Sequence, residues 1–197
     1  LLIARDAFAY SGSETQTALA PGLNRLSKLF REVTEVDMAL NGLDQWSEAQ
    51  RTVQAAEFWQ TFSDWIDRHN PRMSYSVARN LFIASKIESS VLESAQLVKQ
   101  QATERMKSLL PRGTLLCLPT TPFCAPRVNL PIHETDALRL QISVLCCHGG
   151  LTGVPHVSIP GATTGPDHAP IGLSIIAGHN YDTDLLAASL ALEAQHD

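Results

Sequence analysis

The residues most able to hold a ligand stand in a stiff loop. Pro119-Thr120-Thr121-Pro122-Phe123 directly follows the apolar run Thr114–Leu118. Proline fixes φ, so two prolines hold this backbone with little freedom and two hydroxyls lie between them. The threonines offer hydrogen bonds and Phe123 offers apolar contact surface. A stiff loop at the carboxyl end of a buried strand is where open α/β sheets place a pocket wall. The competing reading is a turn whose hydroxyls satisfy its own backbone. Cys124, next in the chain, would be a reactive thiol only if a cation or helix N-terminus lowered its pKa, and no such neighbour stands beside it in sequence.

Other constellations are incomplete. Gly-x-Ser-x-Gly is absent, and Ser11-Gly12-Ser13 reads as a loop and helix cap rather than a nucleophile elbow. His148 and His156 have no Asp or Glu at a spacing that suggests a triad. His133-Glu134 lacks the second histidine of a zincin helix, and Gly149-Gly150 followed by Gly153 lacks the lysine and hydroxyl residue of a phosphate loop. Cys146-Cys147-His148 invites a zinc reading, but the remaining thiols, Cys117 and Cys124, lie far upstream in other elements. Adjacent cysteines with apolar neighbours fit small core hydrophobes in a reduced, cytoplasmic protein better than a secreted disulfide framework. No metal and no cofactor is expected.

Composition narrows the class. The chain has 197 residues, enough for one domain or most of one, with 44% hydrophobic residues and a net charge of −5. That charge leaves no electrostatic footprint for nucleic acid. No apolar run reaches the length of a membrane span. Leu1-Leu2-Ile3-Ala4 is strand-like with no methionine before it, so the numbering is expected to begin inside a longer protein.

The elements that must position the loop follow from periodicity. Leu1–Ala4, Val33–Met38, Thr114–Leu118, His156–Ile159 and Ile171–Ala177 read as strands. A helix opened by Ser11, Ser13 and Glu14 carries Leu19, Leu23, Leu26 and Phe30, with Pro21 at its first turn or at a kink. Asp44 to His69 is a long amphipathic helix with Trp46, Ala49, Val53, Ala56, Trp59, Phe62 and Ile66 on one face, stopped by Asn70-Pro71. Ser90 and Glu93 form a capping box for a helix bearing Val91, Ala95, Val98, Ala102, Met106 and Leu109. Its Lys99, Arg105 and Lys107 read as a solvated face. A further helix spans Asp136–Cys147, with glycine at its left-handed cap. Thr163–Ala169 is a hairpin tip. Asp182 caps a final helix whose inner side is Leu185, Leu186, Ser189, Leu190 and Leu192.

Four segments in order carry a resemblance: Leu116-Cys117-Leu118-Pro119-Thr120-Thr121-Pro122 with Ala125-Pro126, then Gly153-Val154-Pro155-His156-Val157-Ser158-Ile159-Pro160, then Pro170-Ile171-Gly172-Leu173-Ser174-Ile175-Ile176, then Asp182 through Glu193. Together they resemble the carboxyl-terminal part of the amidase signature family. The resemblance implies an α/β fold, a mixed β-sheet core flanked by helices, in which residues 1–197 form the carboxyl-terminal part of a single, incomplete domain. It implies hydrolysis of a carboxamide through a serine acyl-enzyme. The nucleophilic serine, a second serine with a cis peptide bond and a lysine base would lie in an amino-terminal Gly/Ser-rich segment missing here. None of Lys28, Lys86, Lys99 and Lys107 matches that lysine, so no catalytic residue is assigned in this chain.

What remains for the chain to supply is sheet strands and part of the acyl-pocket wall, at Thr120, Thr121, Pro122 and Phe123. In glutamine-handling members of the family an acidic residue meets the substrate amine. The corresponding position falls near Ser143, which has no charge. A small neutral amide, such as an arylacetamide, is therefore the expected substrate. The alternative is an A-type amidotransferase subunit. Two rivals stand beside these: a non-catalytic interaction protein on the same scaffold, and a cysteine-dependent enzyme using Cys124 or Cys147. If the amino-terminal half is absent, the strands at Leu115 and Ile171 should keep an open edge or uncovered face, favouring aggregation or a homodimer.

Overall fold

The computed structural model describes residues 1–165 and 167–194. In chain order its elements are β1 (Leu2–Ala4), α1 (Arg5–Tyr10), α2 (Ser13–Ser27), β2 (Thr34–Val36), α3 (Leu43–His69), α4 (Tyr75–Ala84), α5 (Ser89–Leu109), β3 (Leu116–Pro119), α6 (Ile132–Cys146), α7 (His148–Thr152), β4 (His156–Thr164), β5 (Ala169–Ile176) and α8 (Asp182–Glu193). The strands form one five-stranded sheet of order β2-β1-β3-β5-β4. β1 pairs with β2 and β3 in parallel, while β5 runs antiparallel to both β3 and β4. The sheet is mixed and flanked by helices, as the family resemblance implies.

Alternation along β3 divides the core. Leu116 and Leu118 face a cluster built with Trp46, Ala49 and Val53 of α3, Ala102 and Met106 of α5, Leu145 of α6 and Leu151 of α7. Cys117 faces the other side, with Leu19 and Leu26 of α2, Leu173 and Ile175 of β5, and Leu185 and Leu192 of α8. A strand buried on both faces has no polar side to show, which explains the unbroken apolar run in the sequence. β3 and β5 are both interior strands. The expected open edge at Leu115 and Ile171 is therefore not found, and the sheet's edges are β2 and β4.

Several local expectations change for physical reasons. The residue before α2 is Gly12, and Ser11 is buried with its hydroxyl donating to the Ala7 carbonyl, so no serine caps that helix. Pro21 lies within α2, which continues past it to Ser27. The Ser90–Glu93 capping box does not form, because α5 already begins at Ser89 and Glu88 holds the cap position without a side-chain bond. Arg105 is not simply solvated: its guanidinium donates to the Asp37 carbonyl at 2.7 Å and to the Met38 carbonyl at 3.4 Å, tying α5 to the segment after β2. Gly149 and Gly150 belong to the short helix α7, and the left-handed turn comes at Gly153 (φ +75°). Tyr181, not Asp182, precedes α8, and Leu186 and Leu190 of that helix point outward. On α3, Trp46, Ala49 and Val53 are buried, but Phe62 is exposed. Pro166, inside the expected hairpin tip, lies outside the described residues. Among the described residues no helix is long and apolar enough to cross a membrane.

One buried side chain gives the fold a pH response. His148 is fully buried at the start of α7, its ring edge-on to Trp46 at 6.0 Å between centroids. Its Nε2 has no hydrogen-bond partner among the described residues. Burial, and secondarily the charge of nearby His156, push its pKa from 6.5 down to about 3. The unfolded ring takes up a proton that the folded ring refuses. This contribution to stability is therefore complete above the ordinary value and is lost progressively as pH falls from 6.5 toward 3.

Two measurements test this architecture. Leu116→Ala should cost about 2–5 kcal/mol in denaturant unfolding, as for other fully buried leucines, while Leu186→Ala should stay within about 0.5 kcal/mol. Between about pH 7 and pH 5 the unfolding midpoint of the native protein should fall, and in His148→Leu that slope should flatten.

Candidate functional site

The loop singled out by its prolines leaves the sheet at the end of β3. The Thr120 amide donates to the Gly172 carbonyl at 2.9 Å, carrying the β3–β5 pairing one residue beyond Pro119. Successive side chains of a strand alternate faces, so Thr120 lies on the same side as Leu116 and Leu118, toward α6 and α7. Its Oγ1 stands 2.7 Å from Ser174 Oγ of β5 and 2.8 Å from Ser158 Oγ of β4. Ser158 and Ser174 are directly paired across the two strands. The result is a row of three hydroxyls across three neighbouring strands, running from fully buried Ser174 through Thr120 to exposed Ser158.

Space for that row depends on Gly172. A Cβ there would come within 2.6 Å of both Ser158 Oγ and Thr120 Oγ1. Each hydroxyl can donate once and accept twice, so the row retains capacity beyond its internal bonds at its exposed end. Cys146, at the end of α6, donates from its thiol to the Thr120 carbonyl at 3.3 Å and closes the loop from above the sheet.

The rest of the loop is anchored from the other side. Pro122 is buried, and its carbonyl accepts from the Thr15 hydroxyl at 3.0 Å and from the Gly12 amide at 3.4 Å. Thr121 donates to the Phe123 carbonyl at 2.7 Å, which is the self-satisfied turn anticipated as the competing reading. Phe123 is half-buried and retains exposed surface. Thr120 and Thr121 thus differ: the first joins a network across the sheet, the second serves its own turn.

Ser143 sits one turn before Cys146 on α6. Its hydroxyl donates to the Leu140 carbonyl at 2.7 Å and lies 2.7 Å from Ser47 Oγ, joining α6 to α3. A cleft of about 280 Å³ adjoins that contact, lined by Tyr10, Asp44, Ser47, Glu48, Arg51 and Leu140 among others. Sequence reasoning did not find Ser47, Ser158, Ser174 or Gly172. The available signal was a serine interrupting each of two apolar strands, Val157-Ser158-Ile159 and Leu173-Ser174-Ile175, which become partners only through the antiparallel register.

The thiols divide as well. Cys147 and Cys117 are buried, and burial pushes the Cys147 thiol up to about 12 and raises that of Cys117. Cys147 Sγ lies 3.6 Å from His148 Nδ1, but burial keeps the thiol protonated and the imidazole neutral, so this pair is not a thiolate–imidazolium nucleophile. Cys146 turns away toward Thr120 instead of joining Cys147 and His148. Among the described residues no group of three or more His, Cys, Asp and Glu side chains could hold a metal ion.

Comparison with known proteins places this arrangement. A family model described as Amidase matches residues 14–186. The chain is 24% identical over 164 residues to Amidase 1 of Oryza sativa subsp. japonica, a match covering 82% of this chain and 37% of that protein. It is 32% identical over 127 residues to the A-type component of glutamyl-tRNA(Gln) amidotransferase from Thermus thermophilus, covering 59% of this chain and 25% of that protein. The fold superposes on a crystal structure of an amidase with a TM-score of 0.79 at 23% sequence identity, covering 99% of this chain and 45% of the other. The chain therefore spans less than half the length of these relatives.

The hydroxyl row can be tested by its own energetics. Thr120→Val removes a bonded partner from buried Ser174 and should cost roughly 1–3 kcal/mol of stability, with Thr120→Ser recovering most of the loss. Gly172→Ala should be destabilising as well, because its Cβ forces Thr120 and Ser158 apart. Chemical denaturation of the three variants checks both outcomes.

Proposed function

From the premise that this chain belongs to the Amidase family, we propose that it is the carboxyl-terminal part of a hydrolase that cleaves a small neutral carboxamide through a serine acyl-enzyme. In this reading the nucleophilic serine, its bridging serine and the lysine base lie on a preceding segment outside the chain. The chain contributes the sheet and one wall of the acyl pocket. The observation that carries the reading is the Thr120 loop. It is fixed at one end to β5 and at the other to α2, and within four residues it carries the Thr120 hydroxyl, bonded across the sheet, and the half-buried Phe123. A wall that is rigid before substrate arrives loses little on binding, which is what an acyl pocket requires.

Each residue then has a part. Phe123 packs against the apolar portion of the acyl group. Thr120 and Ser158 offer hydroxyl contacts at the exposed end of the row, with Ser174 orienting them from beneath. Pro122 holds the loop against α2. Thr121 keeps the turn closed, and Ser143 keeps α6 on α3. A neutral substrate is supported by Ser143, which is uncharged and already bonded to Ser47 and Leu140. Catalysis would be supplied by the acyl-transfer groups of the preceding segment, with backbone amides stabilising the oxyanion. By itself the chain would be inactive. Exposed Phe58, Trp65 and Phe82 on α3 and α4 support self-association as part of the same reading.

A second reading has its own support. The 32% identity to an amidotransferase component favours use of glutamine as an amide donor. The two readings separate on substrate charge.

The test is to assay the full-length protein against phenylacetamide, indole-3-acetamide and glutamine. Hydrolysis of the neutral amides with little action on glutamine is the expected result, and Phe123→Ala should raise KM for the aryl amides about tenfold. Preferential hydrolysis of glutamine would support the amidotransferase reading. No hydrolysis of any amide by the full-length protein would overturn both.

A further inference from the structure

The long helix α3 outlasts the core it starts in. Its buried residues end at Val53, and none from 54 to 69 is buried. That stretch is roughly 24 Å of helix. It carries an aromatic ridge: Phe58, Phe62 and Trp65 are 46%, 41% and 45% exposed, and His69 follows them, exposed as well. Phe58 and Phe62 lie 4.6 Å apart between ring centroids, and Trp65 stacks on His69 at 5.4 Å. Scattered exposed apolar side chains are ordinary, but a continuous row of them marks a contact surface.

Spacing and charge say what covers it. Phe58, Phe62, Trp65 and His69 step by four, three and four residues, the seam of a two-stranded coiled coil. A seam this narrow fits one other helix. A bilayer calls for a broad apolar face bordered by basic residues, whereas Asp64 and Asp67 stand exposed on the same turns. A second α3 matches the seam. Laid antiparallel, with Phe62 against the partner's Trp65, it also sets Phe58 against the partner's His69, and a twofold axis repeats both contacts. Arg68 makes no ion pair among the described residues. Glu57 is paired with Lys99 at 3.6 Å yet stays 66% exposed. Eleven residues apart, Glu57 and Arg68 lie on one flank of the ridge, three turns from each other. In the antiparallel register Arg68 comes within two residues, about 3 Å along the axis, of the partner's Glu57.

We propose that a second copy of this protein docks on the ridge from Phe58 to His69, α3 against α3 in antiparallel, with Arg68 facing the partner's Glu57 across the twofold. The proposal specifies the self-association named above and rests on that part of the reading, using none of its amide chemistry. Two ridges together hold roughly 500 Å² of exposed aromatic surface. Stable complexes bury about 1,200–2,000 Å², so this dimer is weak and reversible.

The test is sedimentation equilibrium of the full-length protein from about 1 to 200 μM, where weak interfaces dissociate. A monomer–dimer equilibrium within that range is the expected result. Phe62→Asp should weaken it at least about tenfold, and Arg68→Glu about tenfold. Combining Glu57→Arg with Arg68→Glu should restore most of the loss. All these side chains are exposed, and unchanged unfolding midpoints would show that the variants fold. The readout is mass, so failure of amide hydrolysis would be seen separately and would leave this result standing. A monomer at every concentration, a dimer indifferent to Phe62→Asp or to Arg68→Glu, no recovery in the charge exchange, or a protein that stays monomeric and binds phosphatidylglycerol vesicles through Phe62 would each overturn the proposal.

Discussion

The hydrogen bond from the Thr120 amide to the Gly172 carbonyl is where the sheet passes from apolar packing to a row of hydroxyls. Up to Pro119, β3 is a buried strand whose side chains serve only packing. One residue later the same ladder places a hydroxyl where apolar side chains stood. The antiparallel register of β3, β5 and β4 then aligns Thr120 with Ser174 and Ser158. A slip of one residue would turn each of these serines to the opposite face, so the register constrains both the packing and the hydroxyl row. A buried polar side chain costs stability unless it is hydrogen-bonded, and here the bonding partners come from two strands and the residue that follows a third.

Much of the framework is readable from periodicity. The long helix from residue 43 or 44 to His69, the helix ending before Leu110 and all five strands follow from spacing and turn residues. What periodicity does not reveal is whether an apolar face is covered. Phe62 continues the stripe of Trp46 and Val53 yet stands in solvent, and Leu186 and Leu190 face outward beside buried Leu185 and Leu192. Caps are harder to read, because serine and aspartate are favoured near helix starts without being required at the cap itself. Gly12, Glu88 and Tyr181 hold those positions here.

The candidate site is legible in part for the same reason. Prolines and threonines in one short loop are a local signal, and the Thr120 loop stands out by it. Its partners Ser158 and Ser174 lie 38 and 54 residues further along the chain, where no local pattern ties them to Thr120. The thiols show the opposite limit. Cys147 and His148 are adjacent in sequence and near in space, but their burial makes both neutral and removes the chemistry that adjacency suggests. Solvent access, which a sequence does not display directly, decides both cases.

The order of strands also sets an order of events during synthesis. β1 is made well before β3, and β2 can join it early, but the neighbour on its other side, β3, begins at Leu116. Between them α3, α4 and α5 can assemble from contacts close along the chain. β3 must then wait for β5, which emerges after roughly 3–10 s of further elongation at about 5–20 residues per second. During that interval β3, the strand buried at every residue, has only one neighbour. Until β5 arrives, the helices already made can cover the faces of β3, but its second edge stays unpaired.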